Sequence, residues 1–307
     1  MTYKKLLIIS DIEGSSACLD RASAKFFGKG WPRACLGMTR DVNAVATALL
    51  DAGVARVHIR DFHRTAYNII PSLIHPGAVL HQGYAAGPVP GMGAPEGFDG
   101  VVMIGMHAPS GSRGFLSHTL TSRIAGVTVH GQLISEAQLF SAALASFGIP
   151  PLFFSGCPEA CTHTRKFMSD VHTFPIDKFK EGFHAPSWRQ CLAEETVKSL
   201  RREQPVTYNP EGPFRAVVTM AEGRQAAKTL GQRWGYRRKG RELHLEVKDF
   251  ADLFRELSRL AFLTPLGEKL VPLALPLYHL MGRAGLAWAQ KKPLYPDEPS
   301  DTGAETE

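Results

Sequence analysis

Asp11, Glu13, Asp61, His63 and His107 are the residues in this sequence whose types and spacing fit a shared chemistry. Carboxylate and imidazole together suit zinc, manganese or iron better than calcium. One carboxylate has two oxygens and can bridge two metals about 3.5–4 Å apart. Asp11 and Glu13 are two residues apart, and on an extended segment that spacing turns both side chains to one side. A pair of metals needs a further carboxylate, and Glu136, at the start of a helical pattern, is a candidate. Each residue also has a plainer use. Asp11 can cap a turn, His63 can sit on a surface loop, and His107 can be a hydrogen-bonded core histidine. Glu136 can complement a helix dipole. Asp61 either orients the His63 ring or closes a strand-end turn.

Their common feature is position. Lys5 to Ser10 is a short apolar run that reads as a buried strand, and Asp11 follows it. Thr39 to Leu50 has helical spacing, and Val54 to Arg60 alternates as a strand ending at Asp61. This is a β–α–β unit, which implies a parallel sheet. Gly100 to Met106 is another apolar strand, ending at His107. In such sheets ligands bind beyond the carboxyl ends of the strands.

Downstream, the Gly/Pro-rich stretch from Gly83 to Gly97 reads as a loop. Short strands are predicted at 127–129, 152–155 and 171–174, and helices at 134–147, 159–168 and 188–203. After Gln204-Pro205 a strand at 214–220, a helix at 221–230, a strand at 243–247 and a helix at 248–263 read as a smaller α/β part. The fold class is α/β: a central, mostly parallel sheet flanked by helices, a smaller C-terminal α/β part and a helical extension. The expected units are a catalytic α/β domain at 1–204, the smaller part at 205–264, and a Leu/Pro-rich extension with an acidic tail at 265–307. Leu270 to Trp288 reads as a packing or interfacial helix, and 296–307 as disordered.

Composition sets the bounds. The 307 residues are 44% hydrophobic and 21% charged, a globular profile that excludes fibrous and wholly disordered classes. Lys and Arg outnumber Asp and Glu by 35 to 29, and the surplus is densest between Arg224 and Arg241. A solvated face and a site for acidic partners are the two readings of that stretch. The five cysteines form no C-x-x-C pair, so free thiols and a cytoplasmic location are expected. The apolar run after Lys4-Lys5 is too short for a signal peptide, and no uninterrupted apolar run is long enough for a transmembrane helix.

The motifs together resemble a known family. Ser10-Asp11-Ile12-Glu13-Gly14, Asp61-Phe62-His63 with Asn68, Gly105-Met106-His107-Ala108, Ser117-His118-Thr119 and then Glu136 resemble, in order and spacing, the DppA-type zinc-dependent D-aminopeptidases. The resemblance runs from residue 5 to about 262. It implies two zinc ions, with Asp11 bridging, Glu13 and His63 completing one site, and His107 and Glu136 the other. It implies His118 as the catalytic histidine, acting as general acid/base or as nucleophile. It further implies a ring-shaped homo-oligomer that releases D-amino acids such as D-Ala from short peptides. Manganese is an alternative metal.

Two features depart from the family pattern. Gly156-Cys157-Pro158-Glu159 stands where family members carry a G-D-D turn, and the segment from Leu266 onward has no counterpart. A two-metal phosphoesterase and a basic binding module are the competing classes. The first lacks its G-N-H-[DE] segment, and the second has no nucleic-acid-binding signature, so no nucleic-acid partner is expected.

Overall fold

The computed structural model describes residues 3–202 and 204–292. Its elements in chain order begin with β1 (Lys5–Ser10), α1 (Trp31–Asp51), β2 (Arg56–Asp61), β3 (Ala78–His81), β4 (Gly100–Met106), β5 (Ile124–Val129) and β6 (Gln132–Leu133). They continue with α2 (Glu136–Ala145), β7 (Pro151–Gly156), α3 (Pro158–Phe167), β8 (His172–Pro175), α4 (Ala185–Ser199) and β9 (Phe214–Met220). The last are α5 (Arg224–Trp234), β10 (Arg237–Lys239), β11 (Glu242–Val247), α6 (Phe250–Phe262) and α7 (Pro265–Gln290).

Six strands form a parallel sheet in the order β3-β2-β1-β4-β7-β8. Strand β1 alternates its apolar side chains between two cores, as a period of two requires. Leu6 and Ile8 pack with Val42, Val45 and Leu49 of α1, and Leu7 and Ile9 pack with Leu139 and Phe140 of α2. Burial on both faces is why β1 and β4 read as unbroken apolar runs. The chain winds outward from β1 to β3 on one side and from β4 to β8 on the other. The order therefore reverses between β1 and β4, which opens a crevice at their carboxyl ends.

A second, antiparallel sheet has the order β10-β11-β9-β5-β6. It draws β5 and β6 from before residue 204 and the other three strands from after it, so the segment 205–264 builds this sheet only together with residues 124–133. Arg237, Arg238 and Lys239 are exposed on the edge strand β10, where charge discourages pairing with another sheet. The basic stretch singled out in the sequence thus lies on α5 and the hairpin that follows it.

Several boundaries differ from the sequence reading. Helix α1 starts at Trp31, with Pro32 in its first turn, because Trp31, Ala34, Cys35 and Met38 are buried against the first core. Helix α5 is shifted to Arg224–Trp234 between Gly223 and a left-handed Gly235. Helix α7 keeps Pro272 and Pro276 within it, and much of its first half is exposed, including Leu273 and Leu277. Among the described residues no single helix is long and apolar enough to cross a membrane. The acidic stretch 296–307 lies outside the described residues.

The crevice depends on a close approach of two backbones. Gly14 donates its N–H to the Gly105 carbonyl at 2.8 Å, and Asp11 donates to Ile104 at 2.9 Å. Gly105 has φ +73°, and a Cβ there would stand 2.1 Å from the Asp11 carbonyl oxygen. A Cβ at Gly14 would stand 2.3 Å from the Met106 carbonyl oxygen. Gly105→Ala is accordingly expected to cost about 3 kcal/mol or more, through a left-handed backbone and a steric clash. Urea unfolding of the two proteins measures it, and a cost below about 1 kcal/mol, the ordinary range for mild substitutions, would contradict this account.

Candidate metal centre

Asp11 lies one residue past β1, His63 two past β2 and His107 one past β4, so three strand ends converge on the crevice. Glu13 joins them through a turn: Ser15 donates its N–H to Ile12, and the Asp11 side chain accepts from the Ile12 N–H. The convergence of Asp11 and Glu13 comes from that turn and not from strand alternation. Glu136 is the first residue of α2. Ser135 caps this helix, and Gln138 completes a reciprocal capping box with it. The Glu136 carboxylate also accepts the Leu120 N–H at 2.7 Å.

The six side chains form two abutting groups. Asp11, Glu13 and His63 offer donor atoms within 4.8 Å of one another, and so do His107, His118 and Glu136. Asp11 touches both groups, with Oδ1 3.2 Å from His63 Nδ1 and Oδ2 3.2 Å from His107 Nε2. Glu13 Oε2 is 3.0 Å from His63 Nδ1, and Glu136 Oε1 is 3.3 Å from His107 Nε2. The His118 ring stacks on His107 with centroids 3.8 Å apart, and its Nε2 is 4.0 Å from Glu13 Oε1. The five other side chains are at most 10% exposed, whereas that of His118 is 21% exposed.

Backbone carbonyls orient all three rings. His63 Nε2 faces the Ala24 carbonyl at 2.7 Å, His107 Nδ1 that of Ala108 at 3.1 Å, and His118 Nδ1 that of Leu116 at 2.9 Å. A carbonyl can only accept, so each of those nitrogens carries the proton. The opposite nitrogen of each ring then points its lone pair or its second proton into the site. Asp61 makes no hydrogen bond to the His63 ring, whose nitrogens face Asp11, Glu13 and Ala24. It accepts the backbone N–H groups of His63 and Asn68 and the Asn68 amide, so it is the carboxylate of a strand-end turn.

Strain accompanies this geometry. Among the described residues six non-glycines have positive φ, and five lie in the loops around the site: Phe27, Arg64, Ala66, Leu116 and Leu120. Such conformations persist where the surroundings over-determine them. Leu116 and Leu120 supply the carbonyl for His118 and the N–H for Glu136. Lys178, which nothing in the sequence singled out, is buried and donates to the carbonyls of Glu13 and Ser15 at 2.6 and 2.9 Å. Neither Ala24 nor Lys178 leaves a sequence signal, because one contributes only backbone and the other is anchored by backbone.

The electrostatics call for cations. Burial pushes the Asp11 carboxyl up, but His107 and His63 hold it well below the usual carboxylate range. Burial opposes the His63 imidazolium, yet Glu13 and Asp11 raise it to about 10. His107 is likewise raised well above its ordinary value by Glu136 and Asp11, against burial. Glu13 Oε2 and His107 Nε2 are buried and make no hydrogen bond of good geometry, although other ligand-type atoms of the cluster stand 3.0–3.3 Å away. Orphaned donors, inward-facing imidazoles and three clustered carboxylates fit a metal ion.

The family model described as D-aminopeptidase (peptidase family M55) matches residues 4–258. The chain belongs to this D-aminopeptidase family. The family is one of enzymes, and its model spans β1 through most of α6, leaving α7 outside. The D-aminopeptidase of Bacillus subtilis (strain 168) is 23% identical over 196 residues, which cover 64% of this chain and 67% of that protein. A solved structure described as the Zn-dependent D-aminopeptidase DppA from Bacillus subtilis, a self-compartmentalizing protease, superposes with a TM-score of 0.76 at 19% identity. It covers 84% of this chain and 97% of its own, and the likeness is one of fold. Cys157 occupies the N-cap position of α3 without a side-chain hydrogen bond and is buried as a free thiol, as is Cys161.

Metal loading must displace protons from this site. His63, raised to about 10, holds a second proton at pH 7, and His107 is shifted in the same direction, whereas metal ligation needs neutral imidazoles. At least one proton per chain, from His63, is expected to leave on saturation at pH 7, and that release falls away as pH passes about 10. The sign for the metal-free fold follows. Because the folded value is raised, His63 stabilises the fold fully below its unfolded value of about 6.5, and that contribution is lost as pH rises through about 10. Calorimetric titration in buffers of different ionisation enthalpy counts the protons, and a count of zero at pH 7 would refute the assignment.

Proposed function

We propose that this chain is a zinc-dependent aminopeptidase that removes an N-terminal D-amino acid, D-Ala among them, from short peptides. The observation that carries the proposal is the Asp11 carboxylate, divided between two donor groups at the crevice where the sheet order reverses. Asp11 is the proposed bridging ligand, Glu13 and His63 complete one site, and His107 and Glu136 the other. Two zinc ions held there would acidify a shared water and polarise the scissile carbonyl.

The chain's own residues do the rest. His118 is the exposed member of the cluster, so it is the one that meets substrate. Its Nδ1 proton is committed to the Leu116 carbonyl, which leaves Nε2 to accept a proton from water and return it to the leaving amine. Stacking on His107 fixes the plane of the ring, and Glu13 Oε1 lies 4.0 Å from its Nε2. The depth of the carboxylates keeps bulk water from competing for the donors.

Three further assignments belong to the same proposal. The self-compartmentalizing assembly named for the Bacillus structure extends to this chain as a ring-shaped homo-oligomer. A cytoplasmic location is proposed on the five free cysteines. The catalytic unit is proposed to comprise residues 1–204, with the smaller part packed on it.

The test compares D-Ala and L-Ala dipeptides and amides on zinc-loaded protein. D-Ala release is expected to dominate, and His118→Ala is expected to lower kcat/KM about 10²–10⁴-fold with zinc content unchanged. Preference for the L series would overturn the stereochemical claim. Full activity of His118→Ala would overturn the role given to that residue.

A further inference from the structure

Helix α7 begins beyond residue 258, where the family match ends, and it packs on both loops that hold His63. The first loop runs from Phe62 to Tyr67 and carries His63 itself. The Tyr278 hydroxyl donates to the Arg64 carbonyl at 3.0 Å. Gly282 lies against the Tyr67 ring so closely that a Cβ would stand 2.4 Å from it. His279 Nε2 donates to the Tyr84 carbonyl at 2.9 Å, and the Tyr84 hydroxyl donates in turn to Phe62 at 2.8 Å. The second loop supplies the Ala24 carbonyl that accepts from the His63 ring. There Gly285 lies against Phe26, where a Cβ would stand 2.3 Å away, and Trp288 packs edge-on to Phe27 at 5.0 Å.

These contacts fall at positions 278, 282, 285 and 288, the spacing of one helical face. They meet the backbone where it is strained, since Arg64, Ala66 and Phe27 all have positive φ. Strained loops hold one conformation only when something over-determines them. For the His63 backbone and the acceptor of its ring, that something includes α7. No comparable contact links α7 to the loops of His107, His118 or Glu136 among the described residues.

We propose that α7 is a brace for one half of the metal centre, in which Tyr278 and Gly282 are positioning residues that set His63 in its donating orientation. The consequence for metal rests on the proposed function; the consequence for the loop does not. The brace makes the affinity of the Asp11–Glu13–His63 group dependent on a segment outside the family unit, and leaves the His107–His118–Glu136 group independent of it.

Zinc titration of the full chain in two backgrounds tests this. His107→Ala preserves the braced group, and His63→Ala preserves the other. Tyr278→Phe and Gly282→Val are expected to weaken zinc binding about tenfold in the first background and to change it less than about twofold in the second. Equal losses in both backgrounds, or none in either, would overturn the proposal, because a merely structural helix gives one of those patterns. Hydrogen exchange on metal-free protein is the second measurement. Faster exchange of the Ala66 and Asn68 amides in Tyr278→Phe, with the β4 amides unchanged, supports the brace, and unchanged loop exchange overturns it. A chain that binds no zinc in either background would refute the proposed function while the exchange measurement still decides the brace.

Discussion

The structure turns on one buried carboxylate. Asp11 sits between two imidazoles with an oxygen toward each, in a position that has almost no contact with solvent. An uncompensated charge at such a depth costs several kcal/mol, so its partners are obligatory. Those partners come from the ends of the two strands that flank β1. Their approach requires the turn after β1 to lie directly against the end of β4, which Gly14 and Gly105 permit and larger residues would block. The chemistry of the site and the packing of the sheet are therefore the same constraint seen at two scales.

Around that carboxylate the protein spends backbone to aim side chains. Each of the three imidazoles is anchored by a carbonyl from a loop, and these loops hold three of the six left-handed non-glycine residues among those described. A hydroxyl or carboxylate could anchor a ring equally well, but a second carboxylate would add negative charge to a site already rich in it. Carbonyls fix the tautomer without changing the net charge. Lys178 follows the same logic, since it binds the carbonyls of Glu13 and Ser15 and thereby holds the turn that presents the acidic pair.

The second sheet matters through what it carries. Strand β5 and the short β6 lead directly into α2, whose first turn presents Glu136. The same sheet shares a core with α2, α6 and one face of the parallel sheet. The position of Glu136 therefore depends on residues from 214 to 257, none of which belongs to the two donor groups.

Much of this was written in local pattern. The apolar runs of β1 and β4 were legible because both faces of a parallel strand are buried, and Asp11, His63 and His107 were legible as residues at strand ends. The motifs containing His118 and Glu136 were legible through family resemblance. Other features depended on contacts between residues far apart in sequence. The start of α1 was hidden by a Gly/Pro-containing stretch that only burial of Trp31 makes helical. The pairing of β5 with β9 joins residues about ninety apart, and no local signal encodes it. Strand order, and with it the crevice between β1 and β4, follows from how the helices cover the two faces. The carbonyls of Ala24, Ala108 and Leu116 are invisible in sequence because every residue has one. Sequence determined which donor atoms this protein possesses, since side-chain chemistry is local. Tertiary structure alone decided which of them share a site and which ring nitrogen faces it, since orientation is set by backbone brought in from elsewhere in the chain.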